Sequence, residues 1–287
     1  MKTKVYYQES EMSIDLLHIG LSQGLILAIL AFGIMIPFRF LNFPDLTAEG
    51  AYPLGGAICA SLMIAGYPQI MAILAGVLGG GILAICTSQI ALRLKVNSLL
   101  AGILVSTMAY SVNLRIMGRP NIALFNVTGF HFDLLSLSAI VLLCTLPFLL
   151  FLYTDYGLRF RAIGINALFS RHQSINLNRY TTLGLFIAGA LFGLAGSLMV
   201  QMQQYMDIGM GVGIVIHGLA SLMIGEALIG NNTLVKQLAA PIIGALLYQQ
   251  IQGFALSMGL APSDLKFFTG SIVLIVLGLQ KRQQHMA

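Results

Sequence analysis

The residues best suited to do chemistry are the few polar side chains that interrupt long apolar stretches. Six of them lie inside or beside such stretches: Asp45, Thr47, Glu49, Gln203, Asp207 and His217. Ionisable groups inside a membrane are costly, and they typically mark a substrate or ion pathway. We therefore predict that these six side chains line a translocation pathway. For His217 a second interpretation is a neutral histidine that only hydrogen-bonds a neighbouring helix.

Residues 154–180 form the longest polar break in the chain, and they carry four arginines against one acid, Asp155. Because four arginines cross a bilayer only at high cost, this segment should lie in the cytoplasm. Apolar residues within it recur at helical spacing, which predicts a short amphipathic helix: Leu158, Ala162, Ile165 and Phe169. One interpretation is an ordinary positively charged cytoplasmic loop. The other is a docking helix for a cytoplasmic partner.

The composition indicates a membrane protein. Of 287 residues, 57% are hydrophobic and only 9% are charged, whereas soluble domains carry about 25% charged residues. A net charge of +5 could suggest nucleic acid. A topological bias of Lys and Arg explains that charge, and no basic patch with interleaved aromatic residues occurs, so no nucleic-acid partner is expected. The three cysteines lie in apolar runs without metal-ligand spacing, so no metal site is expected.

Nine apolar stretches have the length of about twenty residues that spans a hydrocarbon core of about 30 Å. They cover residues 14–37, 47–65, 69–92, 98–118, 134–153, 181–203, 209–229, 234–258 and 265–279. We therefore predict an all-α polytopic membrane protein with about nine transmembrane helices in one domain, residues 14–280. Residues 1–13 are a polar N-terminal segment expected to be disordered or interfacial, and residues 281–287 are a tail.

The distribution of basic residues predicts the orientation in the membrane. With residues 154–180 inside and the spans alternating, ten of the fifteen Lys and Arg residues lie in the cytoplasm and five outside. Cytoplasmic segments carry the excess of positive charge. The C-terminus should therefore be cytoplasmic, and the N-terminus falls outside.

Two stretches of the chain resemble each other. Residues 24–33, GLILAILAFG, match residues 184–193, GLFIAGALFG, at five positions, and Asp45 aligns with Asp207 at nearly the same offset. Five crossings separate the two stretches, so they run in opposite directions. Inverted repeats are a recurrent transporter architecture with the pathway at the repeat interface. We predict repeats over residues 14–118 and 181–279, joined by a linking span at 134–153.

The break after the first span, FPDLTAEGAYPLGG, contains Pro44 and Pro53, which disfavour a continuous helix. Asp45, followed by Thr47 and Glu49, resembles a helix N-cap with an acid in the first turn. One interpretation is a cytoplasmic loop followed by a capped helix. The other is a broken helix whose N-terminus enters the pathway.

Two motifs carry a resemblance to a known family. TDYGLRFRAIGIN fits the pattern T-x-x-G-x-x-x-R-A-x-G-x-N, and FPDLTAEG contains the signature F-P-D-L-T. The chain resembles permeases of ATP-binding-cassette (ABC) importers of the branched-chain amino-acid, ribose and tryptophan-type group. The resemblance implies that the first motif seats the permease on its ATPase. The implied coupling residues are Thr154, Gly157, Arg159, Arg161, Ala162, Gly164 and Asn166, and Glu226 joins them by its position near the inner end of a span.

The resemblance also implies a fold, partners and a location. The fold would be similar to that of the vitamin-B12 importer permease, without its first helix. The implied partners are a cytoplasmic ABC ATPase, an external substrate-binding protein, a second permease copy and the lipid bilayer. The implied location is the bacterial plasma membrane. No G-x-x-x-x-G-K-[ST] phosphate loop or H-E-x-x-H motif occurs, so this chain is expected to be no enzyme and to hold no cofactor, with ATP and Mg²⁺ on the ATPase.

Two functions follow from these observations. The first is the permease subunit of an ABC importer for an amino acid, with aromatic ones the leading candidates, or for another small organic solute. The second is an ion-coupled secondary carrier that uses His217 or Asp45 as its coupling site. The coupling motif favours the importer, because a self-sufficient carrier has no need of it.

Overall fold

A computed structural model describes residues 2–125 and 132–259, together with residues 261, 264, 267, 269–271, 274 and 278. Ten helices form the described part: α1 Lys2–Met35, α2 Ala48–Ile64, α3 Gln69–Arg93, α4 Ser98–Met117, α5 Leu134–Tyr153, α6 Asp155–Ile165, α7 Ala167–His172, α8 Leu177–Gln203, α9 Ile214–Ile229 and α10 Leu234–Ser257. Two short strands, β1 Asn121–Ala123 and β2 Tyr205–Asp207, pair antiparallel. A π-turn, Ile36–Phe40, continues α1, and a 3₁₀ turn, Ile208–Gly211, precedes α9.

Within the described residues, six helical segments are long and apolar enough to cross a membrane. They are Leu17–Phe40, Gln69–Arg93, Ser98–Met117, Leu134–Tyr153, Leu177–Gln203 and Ile208–Ile229. The all-α polytopic prediction is therefore confirmed. The count of nine is not, because α2 and α10 are outside this set and the predicted ninth span, 265–279, lies largely outside the described residues, as does the tail. The N-terminal segment, for which a disordered or an interfacial state is predicted, is helical from Lys2, where α1 begins. Its position at the membrane interface stays a prediction.

The packing of the helices follows the predicted repeats. We call α1–α4 the first half and α8–α10 the second half. The first helix of each half packs mainly on the second and third helices of the other half: α1 on α9 and α10, and α8 on α2 and α3. Within each half, α2 packs on α3 and α9 packs on α10. This reciprocal exchange is the arrangement expected of two repeats related by a pseudo-twofold axis.

Small residues allow the closest of these contacts. A Cβ placed on Gly80 of α3 would lie 2.3 Å from the carbonyl oxygen of Gly189 in α8. A Cβ on Gly193 would lie equally close, 2.3 Å, to the carbonyl oxygen of Gly76. The backbones of α3 and α8 therefore touch directly, as at small-residue interfaces of membrane helices.

The two halves also share a local turn before their second helix. Asp45 Oδ1 accepts a hydrogen bond from the amide of Thr47 at 2.9 Å. Asp207 Oδ1 accepts one from the amide of Gly209 at 2.7 Å. In both cases the carboxylate bonds the amide two residues further on, which is an Asx turn. The alignment of Asp45 with Asp207 is therefore matched by equivalent local geometry.

Candidate translocation pathway and coupling surface

A cavity of about 490 Å³ lies at the end of α8 opposite the arginine-rich segment. Three predicted pathway residues line it together: Gln203, Asp207 and His217. They come from the end of α8, from β2 and from the first turn of α9, so the break between α8 and α9 is what gathers them. Broken helices of this kind surround substrate sites in transporters.

The polar groups in this cavity are held by defined contacts. Asn121 Nδ2 donates to Asp207 Oδ2 at 3.4 Å across the β1–β2 pair. The His217 ring packs edge-on against Tyr248, with ring centroids 5.7 Å apart. Tyr248 in turn accepts a hydrogen bond on its hydroxyl from Gln252 Nε2 at 2.9 Å. The contact between His217 and Tyr248 connects α9 to α10.

Several lining residues were missed by the sequence analysis. They are Gln23, Tyr52, Tyr205, Gln249 and Gln252. Gln23 and Gln249 hydrogen-bond each other, which joins α1 to α10. Single amides in apolar helices carry no local signal of a shared site, because only the exchanged packing of the two halves brings α1 beside α10. With aromatic rings and amides on its walls, the cavity can hold a solute that has a ring and polar ends.

Glu49 lies at a second, smaller cavity of about 230 Å³ between α2, α4 and the start of α9. Its Oε1 accepts a hydrogen bond from the amide of Gly213 at 3.2 Å. Gly213 is the N-cap of α9, and Glu49 is in the first turn of α2. Two helix N-termini therefore meet at one carboxylate, a position that favours negative charge.

The break at residues 41–47 is mostly buried or half-buried, and only Asn42 of these seven residues is exposed. Asp45 is 1% exposed and Thr47 is fully buried, and the hydroxyls of Thr47 and Thr87 lie 2.7 Å apart. Burial raises the pKa of Asp45 to about 6, against the lowering effect of its bonds from Thr47. Asp45 Oδ2 has no hydrogen-bond partner in the described part of the chain. Helix α2 begins at Ala48, directly after the turn in which Asp45 accepts from the Thr47 amide, as the capped-helix interpretation expects. The start of α2 is enclosed by α3 and α4, as the broken-helix interpretation expects. The structure is compatible with both.

The arginine-rich segment folds into two short helices, α6 and α7. The Thr154 hydroxyl accepts a hydrogen bond from the amide of Gly157 at 3.2 Å, which caps α6. Asn166 ends α6 and caps α7, since its Oδ1 accepts from the amide of Phe169 at 3.0 Å. Two of the motif residues are therefore helix caps, and they set the bend between the two helices.

The motif glycines hold α6 against the membrane domain. A Cβ on Gly157 would lie 2.2 Å from the carbonyl oxygen of Phe151, and one on Gly164 would lie 2.1 Å from that of Phe40. These two glycines face their own chain, on α5 and on the π-turn. Movement of α6 would therefore be transmitted directly to both elements.

The opposite side of α6 and α7 is exposed. Arg159 is exposed, whereas Ala162 and Arg161 are half-buried, and Arg161 Nε is buried without a hydrogen-bond partner in the described residues. Large apolar side chains stand out from the two helices: Tyr156, Leu158, Ile165, Leu168 and Phe169. Ile165 is the most exposed of them, at 87%. We call these five residues together with Arg159 the α6–α7 surface.

Glu226 lies elsewhere and is bonded within the chain. Its carboxylate receives two bonds from Arg39 of the π-turn, one of them from Nε to Oε1 at 2.7 Å. The Glu226 side chain is 6% exposed and that of Arg39 is 48% exposed. The pair joins the end of the first helix of one half to α9 of the other half. Direct contact of Glu226 with an ATPase stays a prediction.

One hydrolase-like pattern also occurs in the chain. Residues 20–24, GLSQG, fit the pattern G-x-S-x-G. They lie inside α1, and the Ser22 hydroxyl donates to the carbonyl of His18 at 3.0 Å. A nucleophile elbow needs a sharp strand-to-helix turn. This serine therefore lacks the geometry of a catalytic nucleophile.

The fold and these two cavities define a multi-pass helical transport protein built from two interlocked halves. Comparison with known proteins gives the family. Residues 16–277 match the family described as branched-chain amino acid transport system / permease component, and the chain belongs to this family. It is thus the permease subunit of an ABC transporter. Family membership supports the first of the two functions over an ion-coupled carrier.

Individual relatives agree with this assignment. A tyrosine transport system permease protein of Clostridioides difficile (strain R20291) is 36% identical over 261 residues, covering 90% of this chain and 88% of the relative. An uncharacterized protein of Rickettsia prowazekii (strain Madrid E) is 33% identical over 285 residues, covering 94% and 99%. A solved ABC transporter assigned to the metal-chelate type, in an inward-facing conformation, superposes with a TM-score of 0.52 at 14% identity, covering 93% and 85%. That likeness shows the shared fold.

Proposed function

We propose that this chain is the permease of an ABC importer for an aromatic amino acid, with tyrosine the leading substrate. Its ATPase would dock on the α6–α7 surface. The observation that carries the proposal is this surface: large apolar side chains exposed on a segment rich in arginine, fixed by two glycines to the membrane domain. Exposed apolar patches of this kind mark protein interaction sites.

The substrate class rests on the larger cavity and on a relative. Tyr52, Tyr205 and His217 supply aromatic edges and faces, and glutamines supply donors and acceptors for polar ends. Such a mixture suits an aromatic side chain that carries a hydroxyl. The relative in Clostridioides difficile is named as a tyrosine transport permease.

The remaining features of the assembly are part of the same proposal. An external binding protein delivers the substrate, and two permease copies pair with two ATPase subunits, which hold ATP and Mg²⁺. The protein lies in the bacterial plasma membrane with its C-terminus in the cytoplasm. The excess of Lys and Arg on the side of residues 154–180 supports this orientation.

The experiment is co-purification with the ATPase, followed by substrate-dependent ATP hydrolysis in lipid nanodiscs. Ile165→Glu puts a charge at the most exposed apolar position of the α6–α7 surface, and Ala162→Trp adds bulk beside it. Both variants should reach the membrane normally, lose most of the bound ATPase and lose substrate-stimulated turnover. Arg159→Glu should weaken docking by reversing a charge.

The matched control is Lys95→Glu, which reverses an exposed charge in the separate α3–α4 loop. It should retain the ATPase and full turnover. If Ile165→Glu and Ala162→Trp both keep wild-type ATPase binding and coupled hydrolysis, the α6–α7 surface is not the docking site and the proposal is wrong.

A further inference from the structure

The smaller cavity, beside Glu49, has an unusual set of polar groups for a membrane protein, and it opens at the surface of the chain, where Thr107 and Tyr110 are exposed. Its walls carry the Glu49 carboxylate, the hydroxyls of Ser106, Thr107 and Tyr110, and the amide of Asn113. The first turn of α2 contacts α4 here, since a Cβ on Gly50 would lie 2.7 Å from Ser106 Cα. Ser106 is eight residues into α4, about 12 Å along the helix, so the cavity is near the middle of the membrane.

Glu49 has no cationic partner among the side chains that the structure describes. Within residues 17–125 and 132–259 the only ion pair is Arg39–Glu226, and the one hydrogen bond of the Glu49 side chain there comes from the Gly213 amide. An intramembrane carboxylate is usually paired, or it serves a substrate or ion. Helix N-termini favour its negative charge but do not neutralise it. The site is therefore complementary to a cation.

Asn113 is an independent indication of a ligand. It is 1% exposed, and neither its Oδ1 nor its Nδ2 has a hydrogen-bond partner in the part of the chain that the structure describes. A buried amide left without partners destabilises the folded protein. Because Asn113 lines the same cavity as Glu49, an ammonium bound there would supply the missing donor to Oδ1, and a carboxylate on the same molecule would supply the missing acceptor for Nδ2.

The hydroxyls determine the kind of cation. Ser106 Oγ and Thr107 Oγ1 both donate to the carbonyl of Ile103, at 3.0 and 2.8 Å. With their protons engaged, both oxygens can only accept further hydrogen bonds. Glu49 and Asn113 Oδ1 add more acceptors. A primary ammonium, which has three donors and no acceptor, fits such a wall.

We propose that this cavity binds the α-ammonium group of the transported amino acid, with Glu49 as its counter-ion and Asn113 as a hydrogen-bond partner. The inference rests on the proposed function, because it assigns the substrate's ammonium to the pathway of that importer. The volume of about 230 Å³ equals roughly eight water molecules at about 30 Å³ each, enough for the polar end of an amino acid.

The two cavities are neighbours. Ile208 and Val212 face the smaller cavity, while Asp207, Gly209 and Met210 face the larger one. The 3₁₀ turn is therefore the wall between them.

The test measures thermal stabilisation of the purified permease by three small molecules. Tyrosine has ammonium and carboxylate groups, tyramine has only the ammonium, and 3-(4-hydroxyphenyl)propionate has only the carboxylate. Tyrosine and tyramine should stabilise the wild type, and the propionate should not. In Glu49→Gln and in Asn113→Ala, the tyramine concentration for half-maximal stabilisation should rise about 10-fold or more, the loss expected for a charge-assisted hydrogen bond. Asp133→Asn, the same chemical change at an exposed acid, is the matched control and should behave like wild type.

Three outcomes would overturn the ammonium site. The first is equal stabilisation of wild type and Glu49→Gln by tyramine. The second is stabilisation by the propionate alone. The third is stabilisation by sodium chloride but not by choline chloride or tyramine, which would make the cavity a metal-ion site. Melting temperatures without ligand show whether each variant is folded. If Glu49→Gln is not folded, the comparison of Asn113→Ala with wild type serves as the test.

Failure of this inference can be distinguished from failure of the proposed function. Suppose that reconstituted wild type imports tyrosine with ATP, and that Glu49→Gln equals wild type both in import and in thermal stabilisation by tyramine. That result rules out only the ammonium site. Absence of any ATP-driven amino-acid import by wild type removes the proposed function. In that case, tyramine stabilisation that depends on Glu49 would still support an ammonium site.

Discussion

Replacement of Arg39 by Gln should expose how strongly the two halves of the permease depend on one ion pair. Arg39 donates two bonds to the Glu226 carboxylate, and the Glu226 side chain is only 6% exposed. Removing one partner of a fully buried pair costs about 3–5 kcal/mol, because the remaining charge is left unpaired. Since 48% of the Arg39 side chain is exposed, solvent screens the pair. We therefore expect a smaller loss, about 1.5–3 kcal/mol.

The assay is thermal unfolding followed by size-exclusion chromatography in detergent. A loss of this size corresponds to a fall in melting temperature of roughly 3–10 °C for a chain of this length. Glu226→Gln should destabilise less than Arg39→Gln, since the arginine that remains is half-exposed. The double variant should be more stable than the sum of the two single effects predicts. Arg93→Gln, at an exposed arginine with no ion pair among the described residues, is the control and should leave the melting temperature unchanged.

Strict additivity of the two single effects would show that Arg39 and Glu226 do not interact in the folded protein. A melting temperature of Arg39→Gln equal to wild type would refute the estimate itself. Either result would mean that the halves are held together by helix packing alone at this point.

Two further predictions concern the interior. Gly80→Ala should destabilise the folded permease by about 1–3 kcal/mol, because the added Cβ would lie 2.3 Å from the Gly189 carbonyl oxygen. The control is Gly253→Ala, which has nothing within 4 Å of its Cβ and should leave the melting temperature unchanged in the same assay. Equal melting temperatures would contradict the direct α3–α8 contact. Asp45 has a folded pKa of about 6 against 3.8 unfolded, so wild-type stability falls as the pH rises through 6. Relative to Asp45→Asn, wild type should lose roughly 1 kcal/mol between pH 5 and 7.5, and a difference in stability between the two proteins that does not change with pH would refute this.

The architecture could be predicted largely because hydropathy and charge act locally. The starts and ends of α3, α4 and α5 follow the apolar stretches within a residue or two, since a membrane helix satisfies its own backbone. The repeat was visible because Asp45 and Asp207 sit in the same type of turn. The helix in the polar N-terminal segment was not predicted, because composition does not report that α1 continues through it.

The candidate site was only half predictable. Acids in apolar context, such as Glu49 and Asp207, stand out in a sequence because their burial needs a reason. Asn113 and Gln23 do not, since their importance depends on which helices meet. The Arg39–Glu226 pair joins residues 187 positions apart, and nothing local in either segment indicates it.

ATP-driven import is tested most directly by tyrosine uptake into proteoliposomes that contain the permease, its ATPase and its binding protein. We expect tyrosine to accumulate only when ATP is present on the ATPase side of the membrane and loaded binding protein is present on the other side. Proton and sodium ionophores should leave it unchanged. Ile165→Glu should abolish it, and Lys95→Glu should not. Uptake that proceeds without ATP and collapses with an ionophore would contradict the account and restore the ion-coupled carrier.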